Sequence, residues 1–310
     1  MTVTGRFAPS PSGRMHLGNL LCSLLAWLSA KHAGGRVVLR IEDLDAERCP
    51  RKFADLLEAD LRWLGLVWDE GGSDGGPHGP YYQSERAEIY GEYFEKLKGM
   101  GLVYPCFCSR SQLHAASAPH RSDGTPVYPG TCRGLPAEEA RRRAAQKPPA
   151  WRLRVGEETV AFTDGHLGPY EEYLPADCGD FVVRRGDGVF AYQLAVVVDD
   201  AAMGVTQVVR GSDLLDSTPR QIWLQEELGL PHPEYGHVPL LLAPDGRRLA
   251  KRDRDQELGE LQSRYTAPEL VGRLAHLAGL IPEPVPITPA ELVPLFSWEK
   301  LPKEDRAAPR

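Results

Sequence analysis

Near the start of the chain, the pattern of apolar and polar residues predicts a helix between two strands. After Leu17 the apolar positions recur every three or four residues, as Leu20, Leu21, Leu24, Leu25 and Leu28. This spacing places them on one face of a helix, which Gly34 and Gly35 end. Residues 3–7 are predicted to form a short strand before this helix, and residues 36–41 a buried strand after it. The order strand, helix, strand predicts a right-handed crossover in a parallel sheet, with ligands bound at the carboxyl ends of the strands.

The later pattern extends this α/β arrangement. Residues 51–65, 85–98 and 216–228 have helical periodicity, and residues 71–80 form a glycine-rich loop. Strand-like runs follow at residues 151–155, 181–185, 189–198, 207–210 and 238–243. From residue 281 the many prolines and polar residues predict a loosely ordered end. The chain therefore reads as a Rossmann-like, doubly wound parallel sheet with an insertion and a short helical C-terminal part.

Composition limits the classes of function. A chain of 310 residues with 42% hydrophobic residues can bury one large core or two modest ones. No signal-peptide pattern opens it, and its longest apolar stretch, residues 20–30, is too short to span a bilayer, so we expect a cytoplasmic protein. The net charge of −7 argues against general nucleic-acid binding. Any RNA contact must be local, at residues 141–143 or among the basic residues around Lys251.

The turn before the first helix predicts a phosphate site. The chain reads Pro9-Ser10-Pro11-Ser12-Gly13 between the first strand and the helix, which leaves backbone N–H groups free at the helix mouth. Such a mouth binds phosphate. His16 and Asn19 at the helix entry can donate to phosphate oxygens, and Gly18 allows a nucleotide to approach the backbone closely.

Three of the six cysteines fall in one window and predict a metal site. Cys106, Cys108 and Cys132 offer three thiolates suited to zinc. A fourth protein ligand would close the site and make it structural. By chemistry alone His114 and His120 rank first, with Asp123 behind.

Two separated signatures carry a resemblance to a known family. His16-Leu17-Gly18-Asn19 after the turn, together with the distant Lys251 loop, resembles the class I aminoacyl-tRNA synthetases. The sequence of residues 6–13 is similar to the corresponding segment of their glutamyl branch. The chain is shorter than members that carry helical anticodon-binding domains, and its Cys-x-Cys element resembles that of short members which glutamylate a tRNA base.

The resemblance implies a ligase that uses ATP with Mg²⁺ to convert L-glutamate into glutamyl-AMP. In the short members the glutamyl group then passes to the queuosine base in the anticodon of tRNA(Asp). They need no membrane and no obligate protein partner. A truncated glutamyl-tRNA synthetase charging tRNA(Glu) is the alternative. A non-catalytic paralogue that binds RNA or protein, and a pantothenate-synthetase-like adenylate-forming enzyme, are further alternatives.

The resemblance also implies roles for individual residues. His16, Asn19 and Lys251 would be catalytic. Two arginine forks and a carboxylate suit a substrate with two carboxylates and one ammonium; the implied glutamate site is Arg6, Ala8, Ser10, Glu42, Tyr192 and Arg210. The implied ATP site is Pro9, His16, Gly18, Asn19, Gly211, Asp213 and Lys251. The implied zinc ligands are Cys106, Cys108, Tyr128 and Cys132, with Tyr128 preferred as the fourth.

The lysine loop departs from the family pattern. Arg248 stands where the family has its first lysine and Ala250 where it has a serine, while Lys251 is kept. For the whole chain we expect four segments. They are the first half of the catalytic domain (1–100), an inserted zinc-binding subdomain (101–180), the second half with the lysine loop (181–255) and a helical part with a proline-rich tail (256–310).

Overall fold

A computed structural model describes residues 2–109, 127–243, 245–247, 249 and 256–308 of the chain. Six residues that the sequence analysis singled out lie outside this part, namely His114, His120, Asp123, Arg248, Ala250 and Lys251.

The described residues form short strands and mostly longer helices. The strands are β1 (Thr4–Phe7), β2 (Arg36–Leu39), β3 (Glu70–Gly71), β4 (Val103–Cys106), β5 (Ala150–Leu153), β6 (Thr159–Asp164), β7 (Gly168–Tyr173), β8 (Phe181–Arg184), β9 (Gln207–Gly211), β10 (Glu234–Val238), β11 (Leu241–Leu242) and β12 (Arg306–Ala307). The α-helices are α1 (Leu17–His32), α2 (Arg51–Trp63), α3 (Ala87–Gly99), α4 (Ala137–Ala144), α5 (Leu174–Asp177), α6 (Tyr192–Ala202), α7 (Thr218–Leu228), α8 (Leu258–Arg264), α9 (Ala267–Leu277) and α10 (Pro289–Leu292).

Parallel strands make up the central layer, as the sequence predicts. β1, β2 and β3 pair in parallel in that order, and β9 pairs in parallel with β10. The two groups meet at Thr4 and Thr206, where the backbone N–H of Thr206 donates to the Thr4 carbonyl at 2.9 Å. The order across the layer is thus β10, β9, β1, β2, β3, and the carboxyl ends of β1, β2 and β9 share one edge.

Helices cover both faces of this layer, which confirms the doubly wound α/β prediction. On one face α1, α2 and α9 pack into a core with β1 and Val209. On the other face α3, α6 and α7 pack with Val38 and Val208. Within the described part of the chain no helix combines the length and the hydrophobicity that crossing a membrane would require.

Between the two halves of the sheet, the inserted region has its own antiparallel structure. β4, β5 and β8 form one three-stranded sheet, and β6 and β7 form a hairpin. A small cluster around the three cysteines packs at the end of β4. The hairpin was not expected from the sequence, because its exposed face carries polar residues that break up the apolar pattern.

The strand predicted at residues 189–198 is wrong in its second half. Phe190 only bridges to Arg184, and residues from Tyr192 onward form α6. The three valines Val196 to Val198 favour a strand locally. All three are buried in α6 against the second core, and this burial overrides their local preference.

The prediction of a loosely ordered C-terminal end is also wrong. Thr288 caps α10 and shares a capping box with Glu291, and Pro289 stands in the first turn, where proline is tolerated. Phe296 and Leu301 are buried in the core that α1, α2 and α9 form with β1. β12 then pairs in parallel with β11, so the last described residues are part of the fold.

Replacing Phe296 tests this ordered end. Phe296 is 4% exposed and packs edge-on against Trp298, so Phe296→Ala should lower the free energy of unfolding by about 3–5 kcal/mol. Its neighbour Leu295 is 38% exposed, and Leu295→Ala should cost less than about 1 kcal/mol. Urea unfolding of the two variants measures the difference. Equal, small effects would show that the segment does not contribute to the core.

Candidate active site

A cavity of about 740 Å³ opens at the carboxyl ends of β1, β2 and β9. It brings together the site residues predicted from the sequence, apart from the zinc ligands and Lys251. Those lining the cavity are Arg6, Ala8, Pro9, Ser10, His16, Gly18, Asn19, Glu42, Tyr192, Arg210, Gly211 and Asp213. They come from chain segments separated by more than a hundred residues, so the fold alone assembles them.

The mouth of α1 forms one wall of the cavity. His16 is the N-cap residue: its Nδ1 accepts from the Asn19 backbone N–H at 3.4 Å, and Asn19 Oδ1 accepts from the His16 backbone N–H at 3.2 Å. With Nδ1 accepting, a neutral imidazole carries its proton on Nε2. The capping box therefore places the His16 ring and the Asn19 side-chain amide beside a helix mouth that favours anions.

Two glycines keep neighbouring side chains in place. A Cβ added at Gly18 would lie 3.2 Å from the His16 ring, and one added at Gly211 would lie 2.5 Å from Asp213 Oδ1. A side chain at either position would displace a group that faces the cavity. The structure thus gives Gly18 a second role besides the close nucleotide approach predicted from the sequence.

A buried network of charges lies beneath the cavity. Arg40 is fully buried, and its guanidinium donates to Asp200 at 2.6 Å and to Glu42 at 3.1 Å. Asp199 lies 3.7 Å from Arg40 and accepts from Arg86 at 2.7 Å. These pairs compensate each charge locally, which buried ions require.

This network orients two of the residues predicted to bind glutamate. Arg6 Nε lies 3.6 Å from Asp200 Oδ1, and Arg6 Nη1 donates to the Val209 carbonyl at 3.3 Å. Glu42 is held by Arg40. Burial raises the pKa of the Glu42 carboxyl, and the charges of Arg40 and Arg6 oppose this shift. A cation and a carboxylate are thereby fixed at the same end of the cavity.

Arg210 and Tyr192 stand on the β9 and α6 side of the cavity. Arg210 is 4% exposed and donates to Gln221 Oε1 and Thr218 Oγ1, both at 2.8 Å, and to His237 Nε2 at 3.0 Å. Burial raises the pKa of Tyr192, so its hydroxyl remains a donor near neutral pH. Much of the Arg210 fork is thus engaged by the protein.

Sequence reasoning missed the residues that support the site from behind. Four such residues are buried: Arg40 donates to Glu42, Asp200 forms an ion pair with Arg6, His237 accepts from Arg210, and Asp164 lies behind His237. Arg40 could have been noticed as an arginine inside an apolar strand. The other three carry no local signal, because their partners lie far away along the chain.

The three predicted cysteine ligands also come together. The Sγ atoms of Cys106, Cys108 and Cys132 lie within 4.8 Å of one another. Tyr128 Oη lies 3.4 Å from Cys106 Sγ and 3.8 Å from Cys108 Sγ. Arg152 Nε donates to Cys106 Sγ at 3.4 Å. Three thiols and a phenolic oxygen around one point form a donor set that fits a tetrahedral zinc ion.

The comparisons with known proteins agree with this geometry. The family model described as tRNA synthetases class I (E and Q), catalytic domain, matches residues 2–283. The chain belongs to this family, which confirms the resemblance predicted from the two signatures and the prediction of a ligase.

Individual relatives show which members of the family this chain resembles. A glutamyl-Q tRNA(Asp) synthetase from Symbiobacterium thermophilum is 56% identical over 97% of this chain and 94% of the relative. One from Nitratidesulfovibrio vulgaris is 51% identical over 99% of this chain and 96% of the relative. A glutamate tRNA ligase from Elizabethkingia meningosepticum, solved in complex with its amino acid, superposes with a TM-score of 0.84 at 28% identity. The superposition covers 99% of this chain and 67% of the ligase chain.

Removing the central cation tests the buried network. Arg40→Met should lower the free energy of unfolding by about 3–5 kcal/mol, because buried carboxylates lose their partner. Arg48→Met is the matched control: its side chain is 79% exposed and lies 3.7 Å from Asp45, so it should cost less than about 1 kcal/mol. Denaturant unfolding at neutral pH compares the two. A similar small loss in both variants would contradict the network's role in stability.

Proposed function

We propose that this protein activates L-glutamate with ATP and transfers the glutamyl group to the queuosine base in the anticodon of tRNA(Asp). One observation carries the activation step. A single cavity joins the mouth of α1, where backbone N–H groups suit a phosphate, to a pocket that contains Arg6, Arg210 and Glu42. The acceptor rests on the similarity, over nearly the whole length of both chains, to relatives named for that reaction.

Glutamate would lie between β1, β2 and β9. Arg6 and Arg210 supply positive charge for its carboxylates, and Glu42 faces its ammonium. Tyr192 and Ser10 offer hydroxyl groups at the wall of the cavity. Because most donors of Arg210 already bond to protein acceptors, this residue would give its charge and a single hydrogen bond. Among the described residues, Arg6 donates one hydrogen bond, to the Val209 carbonyl, and so could offer more donors to the substrate.

ATP would enter as its Mg²⁺ complex and lie along the mouth of α1. An oxygen of the glutamate α-carboxylate attacks the α-phosphorus, the bond to the bridging oxygen of pyrophosphate breaks, and glutamyl-AMP forms. His16, Asn19 and the helix mouth would stabilise the charge that develops on the phosphate oxygens. Gly211 and Asp213 would contact the nucleotide, and Lys251 would complete the phosphate site from its loop.

The second step is an acyl transfer. A hydroxyl of the queuosine base attacks the glutamyl carbonyl carbon, an ester forms, AMP leaves and the hydroxyl proton is released. The cysteine cluster would hold one structural zinc ion through Cys106, Cys108, Tyr128 and Cys132 and so stabilise the inserted region. The four-segment division of the chain remains a prediction. Since tRNA is the proposed substrate, we place the reaction in the cytoplasm.

Labelled glutamate tests the acceptor directly. Purified protein is incubated with ATP, Mg²⁺ and labelled glutamate, and with tRNA(Asp) that contains queuosine, tRNA(Asp) that lacks it, or tRNA(Glu). A fourth sample uses queuosine-containing tRNA(Asp) from which the terminal adenosine has been removed, so that only the base can accept. We expect label on both queuosine-containing samples and on no other.

The other outcomes identify the competing functions. Label on intact tRNA(Glu) would make the protein a truncated glutamyl-tRNA synthetase. Glutamate-dependent pyrophosphate exchange without label on RNA would indicate a different acceptor, as in other adenylate-forming enzymes. Absence of exchange from the full-length protein in the presence of each tRNA would favour a non-catalytic paralogue.

Replacing one cysteine tests the zinc site. Cys108→Ser should lower the zinc content from about one ion per chain to a small fraction, because a hydroxyl replaces a thiolate ligand. Cys49→Ser, which changes a buried cysteine outside the cluster, should keep its zinc. Elemental analysis of the purified proteins gives the metal content. Full zinc retention in Cys108→Ser would reject this ligand set.

A further inference from the structure

A line of three buried side chains ends at the proposed glutamate pocket. His237 Nδ1 lies 2.6 Å from Asp164 Oδ2, and Arg210 Nε donates to His237 Nε2 at 3.0 Å. The side chains of Asp164 and His237 are fully buried. Arg210 and His237 are also paired residues on β9 and β10. Asp164 comes from the β6–β7 hairpin, so the inserted region reaches the cavity through these contacts.

The hydrogen bonds among these three side chains fix which nitrogen of the His237 imidazole carries the proton. Arg210 Nε always carries a proton, so His237 Nε2 must accept, and the imidazole proton stands on Nδ1 facing Asp164. Asp164 Oδ1 also accepts from the backbone N–H groups of His166 at 2.9 Å and Leu167 at 2.8 Å. Burial and the charge of Arg210 lower the pKa of His237, which keeps the ring neutral.

The remaining donors of Arg210 are almost fully engaged. Nη1 donates to Gln221 Oε1 at 2.8 Å, and Nη2 donates to Thr218 Oγ1 at 2.8 Å and to the Leu214 carbonyl at 3.3 Å. Counted over the described residues, four of the five N–H groups thus have protein acceptors, which leaves one on Nη1 for a ligand. The direction of that one N–H depends on how the whole guanidinium is held.

We propose that His237 is a positioning residue for Arg210 in glutamate binding, and that Asp164 holds His237 in the tautomer that can accept from Arg210. This inference rests on the proposed function, in which Arg210 contacts a carboxylate of glutamate. Asp164 and His237 themselves do not touch the substrate. They act by keeping the Arg210 guanidinium in one orientation toward the cavity.

Asp164→Asn tests the tautomer. Two backbone N–H groups require an oxygen at the Oδ1 position, so the new amide nitrogen faces His237 Nδ1 and donates to it. The imidazole proton must then move to Nε2, where it opposes Arg210 Nε–H. We expect the KM for glutamate in pyrophosphate exchange to rise about ten- to hundredfold. The KM for ATP and the zinc content should stay unchanged.

Two variants at His237 separate positioning from packing. His237→Gln can present an oxygen near the position of Nε2, so it should retain a KM for glutamate within about threefold of the original protein. His237→Phe fills similar space without an acceptor and should raise the KM as Asp164→Asn does. Added to His237→Gln, Asp164→Asn should have little further effect on the KM, because Asp164 acts through the imidazole.

A matched control comes from the same hairpin. Glu171 is exposed on β7, and Glu171→Gln makes the same carboxylate-to-amide change away from the cavity. It should leave both KM values unchanged. Thermal unfolding of each variant identifies losses that come from instability alone. A lower Tm for Asp164→Asn with an unchanged KM for glutamate would overturn the proposal and leave Asp164 a purely structural role.

Arg210→Ala distinguishes this proposal from the proposed function. If that variant leaves the KM for glutamate unchanged, Arg210 is not part of the glutamate site and the proposed assignment fails. If Arg210→Ala raises the KM while Asp164→Asn and His237→Phe do not, the assignment stands and the positioning role of His237 is wrong.

Discussion

The buried pairing of Arg40 with Asp200 and Glu42 is the interaction on which the active site depends. Charges at the edge of a sheet are costly to bury unless each has a partner. Here three cations, Arg6, Arg40 and Arg86, stand against three anions, Glu42, Asp199 and Asp200. The cost of separating them limits where the ends of β1 and β2 can lie. A pocket for a charged amino acid can therefore be preformed before the substrate arrives.

The same arrangement recurs around the cavity. Three of the groups proposed to face a ligand are held from behind by a protein partner: Glu42 by Arg40, Arg210 by His237, and the His16 ring by the backbone of Asn19. Fixed dipoles and charges need little reorganisation when charge develops on a phosphate, which is why such sites stabilise transition states better than water does. The neighbouring groups that hold these residues thus belong to the chemistry as much as the residues themselves.

The sequence predicted the parts of this site that short, contiguous segments of the chain form. The turn before α1 and the strand ends that carry Arg6 and Glu42 follow from short patterns, and the structure places their residues in one cavity. Asp164 and His237 could not be predicted, because their partners lie 73 and 27 residues away and nothing beside them in sequence marks a hydrogen bond. Local preference predicted the wrong structure at two places. Val196 lies in a helix because its burial outweighs its preference for a strand. The prolines near Thr288 help to begin a helix instead of preventing order.

The contact between Thr4 and Thr206 has a consequence for how the molecule is made. The two residues are separated by 202 positions, and β1 gains its second neighbour only when β9 is present. Contacts that close such long loops form late, since the chain loses entropy before the contact is gained. During synthesis the inserted antiparallel region emerges complete, while the parallel layer waits for β9. The strand that docks beside β1 also brings Arg210, so the two halves of the layer and the two sides of the proposed glutamate pocket come together in one event.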